Sequence, residues 1–389
     1  MSELVSISSL AEINPPNERP KDIELDVSFI PMADVTESAR WINRQTRKAR
    51  EVLSGFTSFK EGDVLFAKIT PCMENGKGAL AKGLKNGLGY GSTEFHVIRA
   101  KHDVSASFLN QILKYQITRE RALAYFSGSA GQQRVSKDFF DKYLIPSFSF
   151  SEQNKIALIL TSIDEQIEST ERLIEKKKEI INGIYQDVFI FPVRDGAATI
   201  LLEKIALPKG GTGFPLIYQG SQIGLPFIKV SDMNSLGNEK FITRANNYLE
   251  RGVAESIGAT IFSKGSIVFA KVGAALLLNR RRILVENTII DNNMMGVTCF
   301  GIDTSFLYHF LKTVDFSNFV QPGAVPSVNQ SHINKLCIPD VRKLSQIKVA
   351  ESLDALDDEL FLEIKMLEKL KMQKQGLMQD LLTGLIRVN

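Results

Sequence analysis

The sequence predicts a mixed α/β chain: two similar globular α/β domains separated by two long antiparallel coiled-coil helices, in a pseudo-twofold arrangement. Three observations carry this. SEQNKIALILTSIDEQIES (151–169) returns as LSQIKVAESLDALDDELFL (344–362), pairing Gln153 with Gln346, Lys155 with Lys348, Ala157 with Ala350 and Asp164 with Asp357 at an offset of 193. Beyond those segments an apolar residue recurs in alternating steps of four and three, a coiled-coil period. Before each of them stands a short apolar run of strand length, VLFAKI (64–69) and IVFAKV (267–272), each following a glycine-containing turn.

The elements follow in order. Residues 1–150 form the first domain, 151–190 the first long helix, 191–343 the second domain and 344–389 the second long helix. FIPMADV (29–35) matches FIKVSDM (227–233) at offset 198, and GDVLFAK (62–68) matches GSIVFAK (265–271) at offset 203. Changing offsets place insertions and deletions in the loops between shared elements. ITPCMENGKGAL (69–80) carries Asn75-Gly76, a hairpin signal, while ALLLNRRRILVEN (275–287) sets Asn279 to Arg282 between two apolar strands. SGSAGQQRVSKDFFDKYLIP (127–146) matches QPGAVPSVNQSHINKLCIP (321–339) through Val135/Val328 and the shared Ile-Pro, with Ser136 placed to cap a short helix.

The helix seam in the first copy is Ile156, Leu160, Ile163, Ile167, Ile174, Ile181, Ile184 and Val188, interrupted by Thr170 and Lys177. In the second it is Val349, Leu353, Leu356, Leu360, Leu367, Leu370, Leu377 and Leu381, interrupted by Glu363 and Lys374. Neither stripe is stable exposed to water, so the two helices are expected to pack on each other. The offset of 193 also carries Gly183 onto Gly376 and Gln186-Asp187 onto Gln379-Asp380.

Composition narrows the class. A net charge of +3 permits nucleic acid without demanding it. Three scattered cysteines and four histidines show no metal-ligand spacing and fit a reducing cytoplasm. The N-terminal segment is no signal peptide, and the most apolar run, residues 267–278, is too short to span a bilayer.

The residue types suited to phosphates and base edges recur at matching places. Lys68 and Lys271 end the shared strands, and offset 203 sets Lys77 opposite Arg280, so Asn75 and Lys77 in one copy and Arg280, Arg281 and Arg282 in the other form basic tips. Gln133 and Arg134, with Asn329 and Gln330, supply donors before each long helix. Catalytic patterns do not hold. Asn14-Pro15-Pro16-Asn17 lacks the aromatic that stacks a flipped base, and GGTGFP (210–215) lacks the Lys-Ser/Thr of a phosphate loop. Asp63 with Lys68 could suggest a nuclease acid and base, but Ser266 stands where the second copy would need the acid. The chain reads as non-catalytic; an enzyme and a protein-binding coiled-coil scaffold are the competing classes.

Together these elements resemble the specificity subunit of type I restriction–modification systems. The likeness runs through Phe29-Ile30 and Asp34, Phe227-Ile228 and Asp232, the GDVLFAK and GSIVFAK strands, the IPSFSFSEQNKIA junction (145–157), the helix repeat and LLTG (381–384). The resemblance implies two target recognition domains on double-stranded DNA, each reading half of a bipartite gapped site. It also implies helices that dock two methyltransferase subunits, restriction subunits in the full complex, and no cofactor on this chain, with S-adenosylmethionine held by the methyltransferase. The second junction, IPDVRKLSQ (338–346), lacks the acidic residue that Glu152 supplies in the first.

Overall fold

The computed structural model describes residues 3–129, 131–320 and 325–388; Ala130 and the start of the 321–339 segment lie outside them. Four helices anchor the account: α1 (Ala106–Lys114), α2 (Phe150–Tyr185), α3 (Thr304–Thr313) and α4 (Lys343–Leu382). The chain divides into two compact units, Met1–Glu171 with Lys365–Asn389, and Arg172–Ile364. Each unit therefore owns one globular body and a segment of both long helices.

In the first unit, Ala11–Ile13, Phe95–Ala100, Val64–Ala67 and Gly78–Leu80 form one antiparallel sheet in that order. Gln45–Lys48, Asp26–Ile30, Leu88–Gly91 and Thr57–Lys60 form another, whose central pair is parallel. The second unit repeats both. Ala206–Gly210, Met294–Cys299, Ile267–Ala270 and Arg282–Leu284 match the first sheet, with Phe241–Ile242 added at the edge. Asn247–Leu249, Leu225–Ile228, Thr288–Ile290 and Ile261–Phe262 match the second, again with a parallel centre. Both VLFA and IVFA are buried at all four positions. A strand covered on both faces reads as an unbroken apolar run rather than an alternating one.

The duplicated Ile-Pro is a strand. Leu144–Pro146 pairs antiparallel with Leu4–Ser6, and Cys337–Pro339 pairs with Thr199–Leu201. Each domain thus closes its first strand on its last before entering a long helix. The duplicated glutamine locks that corner. Gln153 accepts from the Ser105 backbone N–H at 2.9 Å and donates to the Phe148 carbonyl at 3.0 Å. Gln346 accepts from Asp303 N–H at 3.0 Å and donates to the Val341 carbonyl at 2.7 Å. One amide in each copy satisfies the start of α1 or α3 and the turn into α2 or α4.

The duplicated aspartate finishes the docking. On α1, Lys114 pairs with Asp164 of α2 at 2.6 Å and Gln111 donates to the same carboxylate at 3.0 Å. On α3, Lys312 pairs with Asp357 of α4 at 2.7 Å, and His309 donates through Nε2 to Asp354 at 2.6 Å while accepting from the Tyr185 hydroxyl at 3.0 Å. Burial opposes the charge of Asp164, but Lys114 and Lys374 outweigh it and hold the carboxyl below its usual range. Asp354 is likewise disfavoured by burial and held low by His309, Ser305 and Lys240.

The long helices run antiparallel within each unit. In the first, Ile163 and Ile167 pack with Leu367 and Leu370, and Lys374 reaches Asp164 at 2.6 Å. In the second, Lys177 reaches Glu359 at 3.0 Å and Glu363 at 3.4 Å. Three of the four polar interruptions of the seam are therefore ion-paired between the helices. The seam itself departs from a free two-helix rod. Ile156 and Leu160 enter the first domain's core beside Met378, Leu381 and Leu382. Leu353, Leu356 and Leu360 join the second domain's core with Ile181 and Phe189. Ile174 is buried on the stretch between. Outer heptads are covered by domain, inner ones by helix.

Replacing Gln153 or Gln346 by Ala orphans a buried donor and a buried acceptor, and should destabilise that unit by about 2 kcal/mol. Calorimetric unfolding of the full chain checks this; a parent-like profile for both variants would remove the clamp.

Candidate nucleic-acid interface

The strand Val64–Ala67 positions the first site by delivering Lys68 into a loop that runs against the segment before α2. Val135 N–H donates to the Lys68 carbonyl, Thr70 N–H to the Gln133 carbonyl at 3.0 Å, and Ile69 bridges Arg134. Lys68, Gln133 and Arg134, separated by up to 66 positions in sequence, thereby share one place, each half-exposed. The Arg134 guanidinium grips Glu94 through Nε and one terminal nitrogen, each at 2.9 Å. That hydrogen bond holds Glu94 below the usual carboxylate range. Such a surface pair is weak, so its effect is to fix the plane of an arginine that a nucleic acid could recruit.

His96 supports the cluster from beneath. Its Nε2–H donates to the Val135 carbonyl at 2.8 Å, and Nδ1 accepts from Asn14 at 3.0 Å. Burial pushes the imidazole down to about 4, so it is neutral at pH 7. Asn14, the first residue of Asn14-Pro15-Pro16-Asn17, is spent holding His96 and the Val97 N–H, which accounts for that motif as a turn.

Asn75 and Lys77 leave this cluster. The last register pair of the hairpin is Phe66 with Gly78, so Asn75-Gly76 sits inside a long connection rather than a two-residue turn. Gly76 has φ +86° and a Cβ there would lie 2.5 Å from the Glu37 carbonyl oxygen, which explains the glycine without a hairpin. Asn75 is exposed. The half-buried Lys77 turns inward and donates to the Met32 carbonyl at 3.3 Å.

Sequence reasoning missed Arg119. Only 2% exposed, it lies 4.0 Å over the Phe66 ring and donates to the carbonyls of Leu113, Met73 and Lys77, tying down both ends of the loop. Burial pushes its pKa down to about 9. Nothing in its spacing distinguishes it from Arg121, two residues on.

In the second unit Lys271 is half-buried, with its ammonium beside Gly210. Arg280 is exposed and bonds Asn234. Arg281 is not a tip residue. It is 2% exposed, lies 4.0 Å over Phe316 and donates to the carbonyls of Asn279 and Val314; burial pushes it down to about 10. It is the second unit's counterpart of Arg119, supplied from a different element. Arg282 is half-buried and bonds the carbonyls of Arg281 and Met233. The preceding Ala274–Leu277 forms a helical turn instead of a strand, entered through Gly273 at φ +74°.

The capping expectation moves between copies. Ser136 offers only its backbone carbonyl, to Phe139, and the helix begins at Asp138. At the aligned position Asn329 caps Gln330–Asn334 by accepting from His332 N–H at 3.0 Å, so its side chain is committed while Gln330 stays exposed.

Two remaining sequence features are structural. Asp63 makes a buried pair with Arg99 at 2.7 Å, and the aligned Ser266 hydrogen-bonds the aligned Thr298 at 3.0 Å. In GGTGFP, Gly211 lies against the backbone of Asp291, and Phe214 stacks on Phe227 at 3.8 Å. Among the described residues no helix is long and apolar enough to cross a membrane.

One module is built twice, each copy presenting a basic, amide-bearing loop cluster and each pinned to a long helix. Residues 2–178 match the family profile described as the Type I restriction modification DNA specificity domain. The chain is 37% identical over 163 residues to the type I restriction enzyme EcoAI specificity subunit, and 38% over 156 residues to the EcoEI specificity subunit, both of Escherichia coli. These matches cover 41% and 40% of this chain but only 28% and 26% of those proteins. The crystal structure of the type I restriction–modification system S subunit from M. genitalium shares its fold, with TM-score 0.62 and 17% identity over 98% of this chain and 96% of that one. The chain is thus similar to type I restriction–modification specificity subunits, with the profile match confined to residues 2–178.

Two outcomes test this geometry. His96 has a folded pKa depressed from 6.5 to about 4, so the unfolded chain takes up its proton first on acidification. Its contribution is fully present above pH 6.5 and declines as pH falls toward 4, by about 3 kcal/mol in all. His96→Gln should flatten that part of the pH profile of the urea midpoint; an unchanged slope would contradict the buried neutral imidazole. Separately, Arg281→Ala should lower thermal stability markedly while Arg134→Ala leaves it near the parent, and equal effects would contradict their assignment to core and surface.

Proposed function

We propose that this chain is the DNA sequence-specificity subunit of a type I restriction–modification complex and performs no chemistry itself. Each unit reads one half of a bipartite gapped site on duplex DNA. The two long helices hold the readers at a set spacing and dock two methyltransferase subunits. Restriction subunits join in the full complex, S-adenosylmethionine belongs to the methyltransferase, and the assembly works in the cytoplasm. The observation that carries this reading is the twice-built module pinned by Gln153 and Gln346 to long helices. A reader fixed rigidly to a strut is what measuring a gap requires.

Within that reading Lys68, Gln133 and Arg134 contact DNA from the first unit, with Asn75 at the exposed loop. Lys271, Arg280 and Gln330 contact it from the second. Arginine reads guanine edges bidentately and glutamine reads adenine, while lysine serves phosphates. Lys77, Arg282, Asn329 and Arg281 support these loops from behind.

The test is a genome-wide map of N6-methyladenine in a methylation-free host expressing this chain with its methyltransferase subunit, and each alone. A gapped motif is expected only with both. Exchanging residues 1–150 for another member's first domain should then change one half-site and leave the other. Methylation by this chain alone, or a change in both halves, would overturn the proposal.

A further inference from the structure

Among the described residues, the two most exposed large apolar side chains are neighbours in sequence, Leu216 and Ile217, each 83% exposed. Ile223, further along the same loop, is 69% exposed. The loop, residues 211–224, joins strand Ala206–Gly210 to strand Leu225–Ile228 in the second unit. A loose loop with such a tip would fold it back onto the domain, out of water. This loop is held open instead.

Its entering limb is fixed by Gly211 and Thr212, whose N–H groups donate to the carbonyls of Met294 at 3.0 Å and Ile290 at 2.9 Å, and by Phe214 stacked on Phe227. On the returning limb Gly220 N–H donates to Asn247 Oδ1 at 2.9 Å, and the Ser221 carbonyl accepts from Tyr248 N–H at 3.0 Å. Gly224, at φ +109°, runs so close to the next strand that a Cβ would stand 2.2 Å from the Leu249 carbonyl oxygen. Gln219 ties the limbs together: its amide donates to the Phe214 carbonyl at 3.3 Å and accepts from the Lys229 ammonium at 2.6 Å. Everything around the tip is braced, and Leu216 and Ile217 protrude from the brace.

Charge indicates what such a tip meets. Lys229 stands at the loop, the Lys271 ammonium lies beside Gly210 where the loop departs, and Lys209 is exposed one residue earlier. Residues 211–224 carry no acidic side chain. An apolar tip among lysines suits duplex DNA, whose phosphates take the cations and whose stacked bases admit a leucine or isoleucine between them. The matching connection of the first unit, residues 14–25, is of another kind. It carries Glu18, Arg19, Lys21, Asp22 and Glu24, with Ile23 exposed among them.

We propose that Leu216 and Ile217 form a wedge that enters between two base pairs of the half-site read by the second unit and unstacks that step, while the first unit reads its half-site without a wedge. This rests on the proposed function above. The second half-site is then read partly through deformability, favouring an easily unstacked pyrimidine–purine step where no side chain hydrogen-bonds a base.

The experiment uses the complex of the full chain with its methyltransferase subunit, on a duplex bearing the mapped motif with 2-aminopurine at successive positions. The parent is compared with Leu216→Ser/Ile217→Ser, which should melt with the parent because both side chains are exposed. The variant should lose the fluorescence rise at one step, within the half-site that survives exchange of residues 1–150, and bind on the order of tenfold more weakly. Its slope of log affinity against log salt should match the parent's, since an apolar wedge releases no counterions, whereas Lys271→Ala should flatten the slope and keep the fluorescence rise. Parent-like affinity and fluorescence in the double variant, or a signal lost from the other half-site, would overturn the wedge and leave the proposed function intact. Loss of the methyltransferase from the variant's complex in native mass spectrometry would also overturn it, making the tip a protein contact. A parent complex that binds the motif no better than unrelated duplex would overturn both.

Discussion

Everything in each unit depends on a corner where three segments meet: the end of the last strand, the start of α1 or α3, and the first turns of α2 or α4. A buried glutamine closes it twice, using one amide oxygen and one amide nitrogen on backbone groups that would otherwise be stranded. An unsatisfied buried polar group costs more than a made hydrogen bond gains, so the corner tolerates one geometry. The lysine–aspartate pair a few turns along then fixes the rotation of α1 on α2, and of α3 on α4. Each domain is thereby a rigid extension of its helix, and its loops point where the helix makes them point.

Much of this was legible in the sequence, because duplication works as an internal comparison. The shared Gln and Asp stood out at a fixed offset, although their partners did not: Ser105 lies 48 residues from Gln153. The strands were legible as buried apolar runs. The seam was legible as a stripe that must be covered, but periodicity does not say by what, and the outer heptads turned out to be covered by their own domains. The arginine run failed for a related reason. Arg281 and Arg280 are adjacent and chemically identical, and only Phe316 and the Val314 carbonyl, 33 residues from Arg281, decide that one is buried.

The two copies also show how one fold sustains different surfaces. A buried guanidinium over a phenylalanine braces the hairpin connection in both, from a helix in the first and from the hairpin in the second. The buried pair Asp63–Arg99 becomes a hydroxyl pair, Ser266 with Thr298. Core solutions drift while the docking corner keeps its residues. That is expected if the angle between domain and helix is the selected property and the loops are free to vary.

The central claim is that the helices measure the gap between two half-sites. The most direct measurement removes one heptad from each helix, residues 170–176 and 364–370, which keeps Lys177 opposite Glu363, and maps N6-methyladenine with the methyltransferase present. Seven residues shorten a helix by about 10 Å, or about three base pairs of duplex. The account predicts a motif with both half-sites unchanged and a gap shorter by that amount. An unchanged gap would contradict it, and would locate the spacing in the partner subunits instead.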